Sequence, residues 1–274
     1  MNKIPVKVFN RLSQNIKKFR PIVTSAKSRD VNESDTVTIV TDILADLFGF
    51  DKYSEITREY AIRGTYCDLA TKIRNKAYYL LEVKAIGIEL KSSHIKQAVD
   101  YASNVGIDWV VLTNGNEWRV YKVKFAKPIT HDLVFNFNFS NLNPKSKKDI
   151  ELLFPLTKEG YAKSSLEAFN SQREALSKFS IGALIISDDI LSHIRRELKK
   201  LSPDIKIELN EIKHVIQNEV LKREIIDSDE LNTALKRIQK LKTKRKKRTI
   251  LKDHNPNAPD NSDSQNSVAE NNNI

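Results

Sequence analysis

Ala77-Tyr-Tyr-Leu-Leu-Glu-Val-Lys-Ala85 is an aromatic and aliphatic strand that ends in two opposite charges. Strand side chains alternate between faces, so Leu80, Glu82 and Lys84 point one way and Tyr79, Leu81 and Val83 the other. A carboxylate and an ammonium at the end of an apolar strand are costly unless they are paired or put to use. Just upstream, Tyr66-Cys-Asp-Leu-Ala-Thr-Lys-Ile73 reads as the preceding strand and Arg74-Asn75-Lys76 as a tight turn. Closing that hairpin sets Asp68 near the end of its strand that lies beside Glu82. Two carboxylates and a lysine at one sheet end form a candidate site for a divalent cation and a phosphate.

Outward from this hairpin the chain alternates helix and strand. Residues 5–20 carry apolar side chains at Val6, Val8, Phe9, Leu12, Ile16 and Phe19, the spacing of a basic amphipathic helix. Ser34-Asp35 predicts the start of a second helix, with a capping residue and acids in its first turn. Its apolar face is Val37, Val40, Ile43, Leu44, Leu47 and Phe48, and Gly49 ends it. Glu55 to Ile62 alternates as a strand, and Arg63-Gly64 turns into the hairpin. Leu90 to Val105 returns to helical period through Ile95, Ala98, Val99 and Ala102. Trp109 to Thr113 is a largely apolar strand, Asn114-Gly115 a hairpin turn, and Glu117 to Val123 the partner strand. Phe135 to Pro144 reads as an edge strand followed by a boundary.

After the N-terminal helix the order is helix, three strands, helix, two strands, which is an α+β fold with helices against one sheet. From Asp149 to Leu241 the pattern is helical. Ile185, Ile186, Ile190, Leu191, Ile194 and Leu198 form one stripe, Pro203 breaks it, and Leu209 to Ile226 forms another. Asp253 onward is Asn, Ser, Asp and Pro with almost no apolar residues, a composition that cannot bury a core. The expected division is a sheet domain over residues 1–140, a helical region over 141–241 and a basic, then polar, disordered tail over 242–274.

Composition excludes several classes. No apolar run approaches the roughly 20 residues needed to span a bilayer, and the first residues lack the apolar core of a secretory signal. A cytoplasmic location with no membrane partner is therefore expected. One cysteine, Cys67, allows no internal disulfide, and with five scattered His it gives no zinc spacing. A phosphate loop of the Gly-x-x-x-x-Gly-Lys-Ser/Thr kind is missing, so no ATP-driven motor is expected. The net charge of +11 is concentrated, because Leu235 to Lys252 holds ten Lys or Arg and no acid. Within it Lys244, Arg245, Lys246, Lys247 and Arg248 form a run suited to sequence-independent attraction of phosphates, weakened by salt. A solvated helix end running into disorder accounts for the same residues.

Glu-x-Lys by itself discriminates nothing here. It occurs at Glu82-Lys84, Glu89-Lys91, Glu197-Lys199 and Glu211-Lys213, the last preceded by Pro203-Asp204. In a helix, positions i and i+2 diverge by about 200° and cannot share a site, which removes the Pro-Asp copy. At Glu82 the strand alternation puts both residues on one face with Asp68 a hairpin away. Context selects one copy of four.

Asp68, a strand-turn-strand and then Glu82-Val83-Lys84 resembles the PD-(D/E)XK nuclease superfamily. More closely, it is similar to the N-terminal nuclease domain of type I restriction enzyme R subunits, in a stand-alone form without the helicase motor. The similar text includes Val31-Asn-Glu-Ser-Asp-Thr36, Leu47-Phe-Gly-Phe-Asp51, Glu55-Ile-Thr-Arg-Glu59, Tyr66-Cys-Asp-Leu-Ala70, Leu81-Glu-Val-Lys-Ala85, Gln97-Ala-Val-Asp-Tyr101 and Trp109 to Tyr121. Cys67 stands where the superfamily's name has proline.

The resemblance implies a restriction-endonuclease-like αβββαβ core and a Mg²⁺-dependent nuclease acting on DNA, in restriction or defence, with Mn²⁺ able to substitute. Asp68, Glu82 and Lys84 would be catalytic. Asp68, Glu82 and the Val83 carbonyl would offer hard oxygen ligands, with Glu33 completing the metal shell by family position and Glu59 competing for that role. Gln97 and Tyr101, four apart on one helix face, match an element that contacts nucleic acid in relatives; a surface amide and a core-edge aromatic is the plainer account. His94, Trp109 and Trp118 read mainly as structural residues. A homodimer or a larger defence complex is the implied assembly. The alternative is a catalytically inactive module of the same fold that binds nucleic acid or serves in assembly.

Overall fold

The structure, a computed structural model, describes residues 4–62 and 65–253, with side chains of 61, 62, 65 and 244–253 left aside. It divides into two compact units, residues 1–173 and 174–274.

In the first unit, α1 (Val6–Ser28) and α2 (Glu33–Asp42) are followed by β1 (Ile56–Ile62), β2 (Thr65–Ile73) and β3 (Lys76–Val83). Then come α3 (Ser92–Val105), β4 (Trp109–Thr113), β5 (Glu117–Lys124) and β6 (Thr130–Asn138). The six strands lie in chain order in one sheet. Neighbours are antiparallel except β3 and β4, which are parallel and joined by the α3 crossover. The expected α+β fold is the observed one.

Strand alternation builds two cores, one on each face. Tyr79, Leu81, Val83, Trp109 and Val111 join Val8, Leu12 and Ile16 of α1 and Val40 of α2 in the larger core. Leu80, Val110 and Leu112 join Ile95, Ala98, Val99 and Ala102 of α3 in the other. Successive residues of β3 and β4 thus point to opposite cores, as a sheet covered on both faces requires. The β2–β3 hairpin turns through Arg74 and Asn75 at φ +50° and +61°. Two left-handed residues in a two-residue loop match the right-handed twist of the flanking strands.

Several boundaries differ from the sequence reading. The first helix does not stop at residue 20 but runs through Pro21 to Ser28. Its buried stripe of Val8, Leu12, Ile16, Phe19, Val23 and Ala26 continues across the proline, and that burial outweighs the lost main-chain bond. The second helix is capped by Asn32, whose side chain accepts from Asp35 N–H at 2.9 Å, and not by Ser34. The edge strand starts at Thr130, five residues before Phe135, because polar Thr130-His131-Asp132 pairs with Lys124, Val123 and Lys122. Pairing of an edge strand needs no apolar alternation.

The expected boundary at 140/141 falls inside the first unit. The following helices are α4 (Lys147–Leu153), α5 (Lys158–Ala162) and α6 (Ser165–Ala175); Ile150 and Leu153 of α4, Leu156 of the 3-10 turn between α4 and α5, and Leu166 of α6 enter the larger core. Tyr78 and Tyr79 of β3 donate to the carbonyls of Pro155 and Leu156, at 2.7 and 3.0 Å. A polar stretch after β6 marked a loop rather than the end of the domain.

The second unit is helical: α7 (Lys178–Ile185), α8 (Asp188–Leu201), α9 (Leu209–Val215), α10 (Arg223–Ile226) and α11 (Asp229–Asp253). Its core gathers Ala183, Ile186, Leu191, Ile212, Ile216, Ile225 and Leu231. The single stripe expected from Ile185 to Leu198 is split between α7 and α8, with Ser187 as the cap residue at the break. The segment 209–226 is likewise split, between α9, a π turn and α10. The expected tail begins at residue 242, whereas α11 runs through Asp253; the remainder, 254–274, lies outside the described residues. No helix among the described residues is long and apolar enough to cross a membrane.

Candidate active site

The site forms where β3 ends against its neighbours. The β2–β3 ladder pairs Leu69 with Leu81, and its register carried one step further sets Asp68 across from Glu82. Asp68 Oδ2 accepts from the Val83 N–H at 2.7 Å, which locks that carboxylate to the end of β3. On the other side, β4 pairs Glu82 with Leu112 and Val83 with Thr113. Lys84 N–H then donates to Thr113 C=O at 2.8 Å, so Lys84 stays aligned although the strand itself ends at Val83.

The charged groups are close. Lys84 Nζ donates to Glu82 Oε1 at 2.6 Å and lies 3.8 Å from Glu33 Oε2, at the head of α2. The Glu82 side chain is only 4% exposed and that of Lys84 22%, against 51% for Glu33. Burial pushes the Glu82 carboxyl above its ordinary value against the pull of the Lys84 hydrogen bond, and the charges of Asp68 and Glu33 add to the rise. Burial acts the other way on the Lys84 ammonium, but the Glu82 hydrogen bond and charge prevail and raise it. Cys67, beside Asp68, donates to Leu81 C=O at 3.1 Å, and burial pushes its thiol up to about 12. A thiol so buried is no nucleophile near neutral pH.

Asp68, Glu82 and Lys84 therefore meet at one sheet end, but the metal set expected from sequence is not assembled. Among the described residues no group of three or more His, Cys, Asp or Glu gathers to hold a metal ion. Glu33 faces the Lys84 ammonium, and Asp68 spends one oxygen on a main-chain N–H. What remains is a two-carboxylate arrangement with the Val83 carbonyl nearby, and this fits Mg²⁺, which needs only one or two protein carboxylates beside water and phosphate oxygens. Glu59, the competitor of Glu33, is exposed at φ +46° and is skipped in the β1–β2 pairing. It has no bond to this cluster among the described residues.

The other sequence candidates lie elsewhere or act structurally. Gln97 is exposed on α3 and its amide donates to the Tyr101 hydroxyl, while the Tyr101 ring is buried in the α3 core. His94 caps its own helix, its Nδ1 accepting from Lys91 N–H at 3.2 Å. Trp109 donates to Glu167 at 2.8 Å, and Trp118 donates to Gly115 C=O and stacks on Phe137. Lys244, Arg245, Lys246, Lys247 and Arg248 belong to α11, and their side chains lie outside the described residues. The rejected Glu211-x-Lys213 copy does lie in a helix, α9, where Glu211 accepts from Glu208 N–H as a capping residue.

Two positioning contacts were not read from sequence. Asn114 Nδ2 donates to Ile88 C=O at 2.8 Å and ties the β4–β5 turn to the loop that follows Lys84. Asn114 Oδ1 also accepts from Glu117 N–H, so one side chain holds both the turn and the loop. The Asn-Gly pair signalled the turn; the partner 26 residues away left no local trace.

The chain has no match among curated proteins or among solved structures. Residues 42–134 match the family model described as Type I restriction enzyme R protein N terminus (HSDR_N). That stretch, from the end of α2 into β6, holds Asp68, Glu82 and Lys84, with Glu33 outside it, and over about a third of the chain it is similar to the N-terminal region of type I restriction enzyme R proteins.

Proposed function

We propose that the protein is a divalent-metal-dependent nuclease that hydrolyses DNA phosphodiester bonds, in a restriction or defence role. The observation that carries this reading is the convergence of Asp68, buried Glu82 and Lys84 at the end of β3, inside the stretch that matches the R-protein family. The arrangement resembles the PD-(D/E)XK type. Mg²⁺, or Mn²⁺ in its place, when held by Asp68, Glu82 and the Val83 carbonyl, supplies Lewis acidity toward the phosphate and a more acidic water. Asp68 is oriented for this by its bond to the Val83 N–H, and Glu82 by the sheet neighbours that bury it. Lys84 offers a positive charge for the phosphorane and a hydrogen-bond donor for the attacking water.

Digestion of plasmid and oligonucleotide DNA with Mg²⁺ or Mn²⁺ tests the reading. Lys84→Ala and Asp68→Ala should each lower cleavage by at least about 10²-fold, the scale for removing one charge-stabilising group, while circular dichroism stays that of the wild type. Equal nicking by all three proteins, with EDTA making no difference, would refute it.

A second reading is a catalytically idle module of the same fold that holds nucleic acid. It is favoured by the lack of a three-carboxylate cluster among the described residues. It predicts salt-sensitive DNA binding that survives Glu82→Gln and disappears on deleting residues 236–252.

A further inference from the structure

The cation already present at this site is the protein's own. Lys84 Nζ lies 2.6 Å from Oε1 of Glu82, a proposed metal ligand, and 3.8 Å from Oε2 of Glu33. Glu82 is nearly withdrawn from water, so an ammonium in hydrogen-bond contact is what compensates its charge. A divalent ion on Glu82 would sit about 2.0–2.1 Å from a carboxylate oxygen. An ammonium kept at its present distance from that oxygen would then face a double positive charge across a few ångströms. That repulsion disfavours holding both on the one carboxylate.

We propose that Lys84 is the resting counter-ion of the site, that a divalent ion enters by displacing its ammonium from Glu82, and that the phosphodiester of the nucleic acid takes up the displaced ammonium. This rests on the metal-dependent reading above and adds a coupling to it. Metal alone binds weakly, because it must break the Lys84–Glu82 pair without giving the ammonium a new partner. Metal with nucleic acid binds tightly, because the backbone phosphate is that partner. The coupling is reciprocal, so the metal tightens nucleic-acid binding by the same factor.

Calorimetric titration of the full chain with Ca²⁺, with and without a saturating short duplex oligonucleotide, tests the proposal once the oligonucleotide's own Ca²⁺ binding is subtracted. Wild type should bind Ca²⁺ at least about ten-fold more tightly in the presence of the duplex, a modest share of the interaction of unit charges at this range. Lys84→Met should bind Ca²⁺ at least about ten-fold more tightly than wild type without the duplex, and the duplex should add little further. Lys84→Arg, which keeps the charge, should stay as weak as wild type, and Lys84→Gln gives the same comparison as Lys84→Met with a polar head. Saturable Ca²⁺ binding that is no tighter in Lys84→Met and Lys84→Gln than in wild type would overturn the counter-ion role alone. Absence of saturable Ca²⁺ binding in every protein, with and without duplex, would overturn both this proposal and the metal-dependent reading.

Discussion

Glu82 is the residue on which the chemistry and the cost of this site meet. Its carboxylate is buried, its neighbours Asp68 and Glu33 carry the same charge, and Lys84 provides the compensation. Because its folded pKa lies above the ordinary 4.5, the folded state holds that proton more tightly than the unfolded chain does. Stability contributed by this group is therefore greatest at acid pH and falls as pH rises from 4.5 through the folded value. Glu82→Gln removes the titration. The stability of wild type relative to this variant should decline across that window, read from urea midpoints at a series of pH values. A difference that stays level with pH would contradict the assignment. The strand alternation that puts Glu82 and Lys84 on one face was legible in sequence. The contact between Lys84 and Glu33 was not, since those residues lie on separate elements 51 positions apart.

At the scale of the element, helix starts and turns separate local signals from tertiary ones. Sequence placed the cap of the second helix at Ser34, but the bond runs from Asp35 N–H to Asn32. Asn32→Ala should cost about 1 kcal/mol of stability, and Ser34→Ala should stay within about 0.5 kcal/mol, both measured by thermal or urea unfolding. Removing the Asn32 cap should also loosen Glu33, the next residue. Gly49, expected to end that helix, stands just past the π turn Ile43–Leu47 that continues α2, and has a second reason to be glycine. Its φ is +84°, and a Cβ there would come within 2.6 Å of the Arg11 guanidinium. That guanidinium makes a two-pronged ion pair with Glu159 at 2.7 and 2.6 Å, linking α1 to α5. Gly49→Ala should therefore destabilise by about 1–3 kcal/mol, the scale of a strained backbone position, and Arg11→Ala should relieve part of that deficit in the double variant. The turn was visible as a lone Gly after an apolar helix face; the arginine 38 residues earlier was not.

At the scale of the whole molecule, the two compact units predict which fragments fold. A fragment of residues 1–175 keeps Ile150, Leu153, Leu156 and Leu166 in the larger core and should melt cooperatively. A fragment of residues 1–140, cut at the boundary that composition suggested, lacks those side chains and the carbonyls that Tyr78 and Tyr79 bond. It should expose apolar surface, aggregate or show no sharp near-ultraviolet transition; a cooperative melt matching the longer fragment would contradict this. The basic run gives a second test. Ending the chain after Leu241 removes Lys244 to Arg248, and the salt dependence of DNA affinity should flatten by about 0.9 in log–log slope for each phosphate that these side chains no longer neutralise, as read by fluorescence anisotropy.

The sequence by itself determined what depends on neighbours a few residues apart. That covers the β2–β3 hairpin, the helix between the third and fourth strands, the two-faced alternation of β3, and the stop at Gly49 after the second helix and its π turn. It also placed Asp68 and Glu82 on adjacent strands, because a two-residue turn leaves almost no freedom of register. Only the tertiary structure decided that α4 to α6 complete the first core, that Asn114 secures the loop behind Lys84, and that Glu33 meets an ammonium instead of joining a carboxylate cluster. Those outcomes arise from packing between segments distant in the chain, where burial free energy selects partners that carry no periodic or local mark.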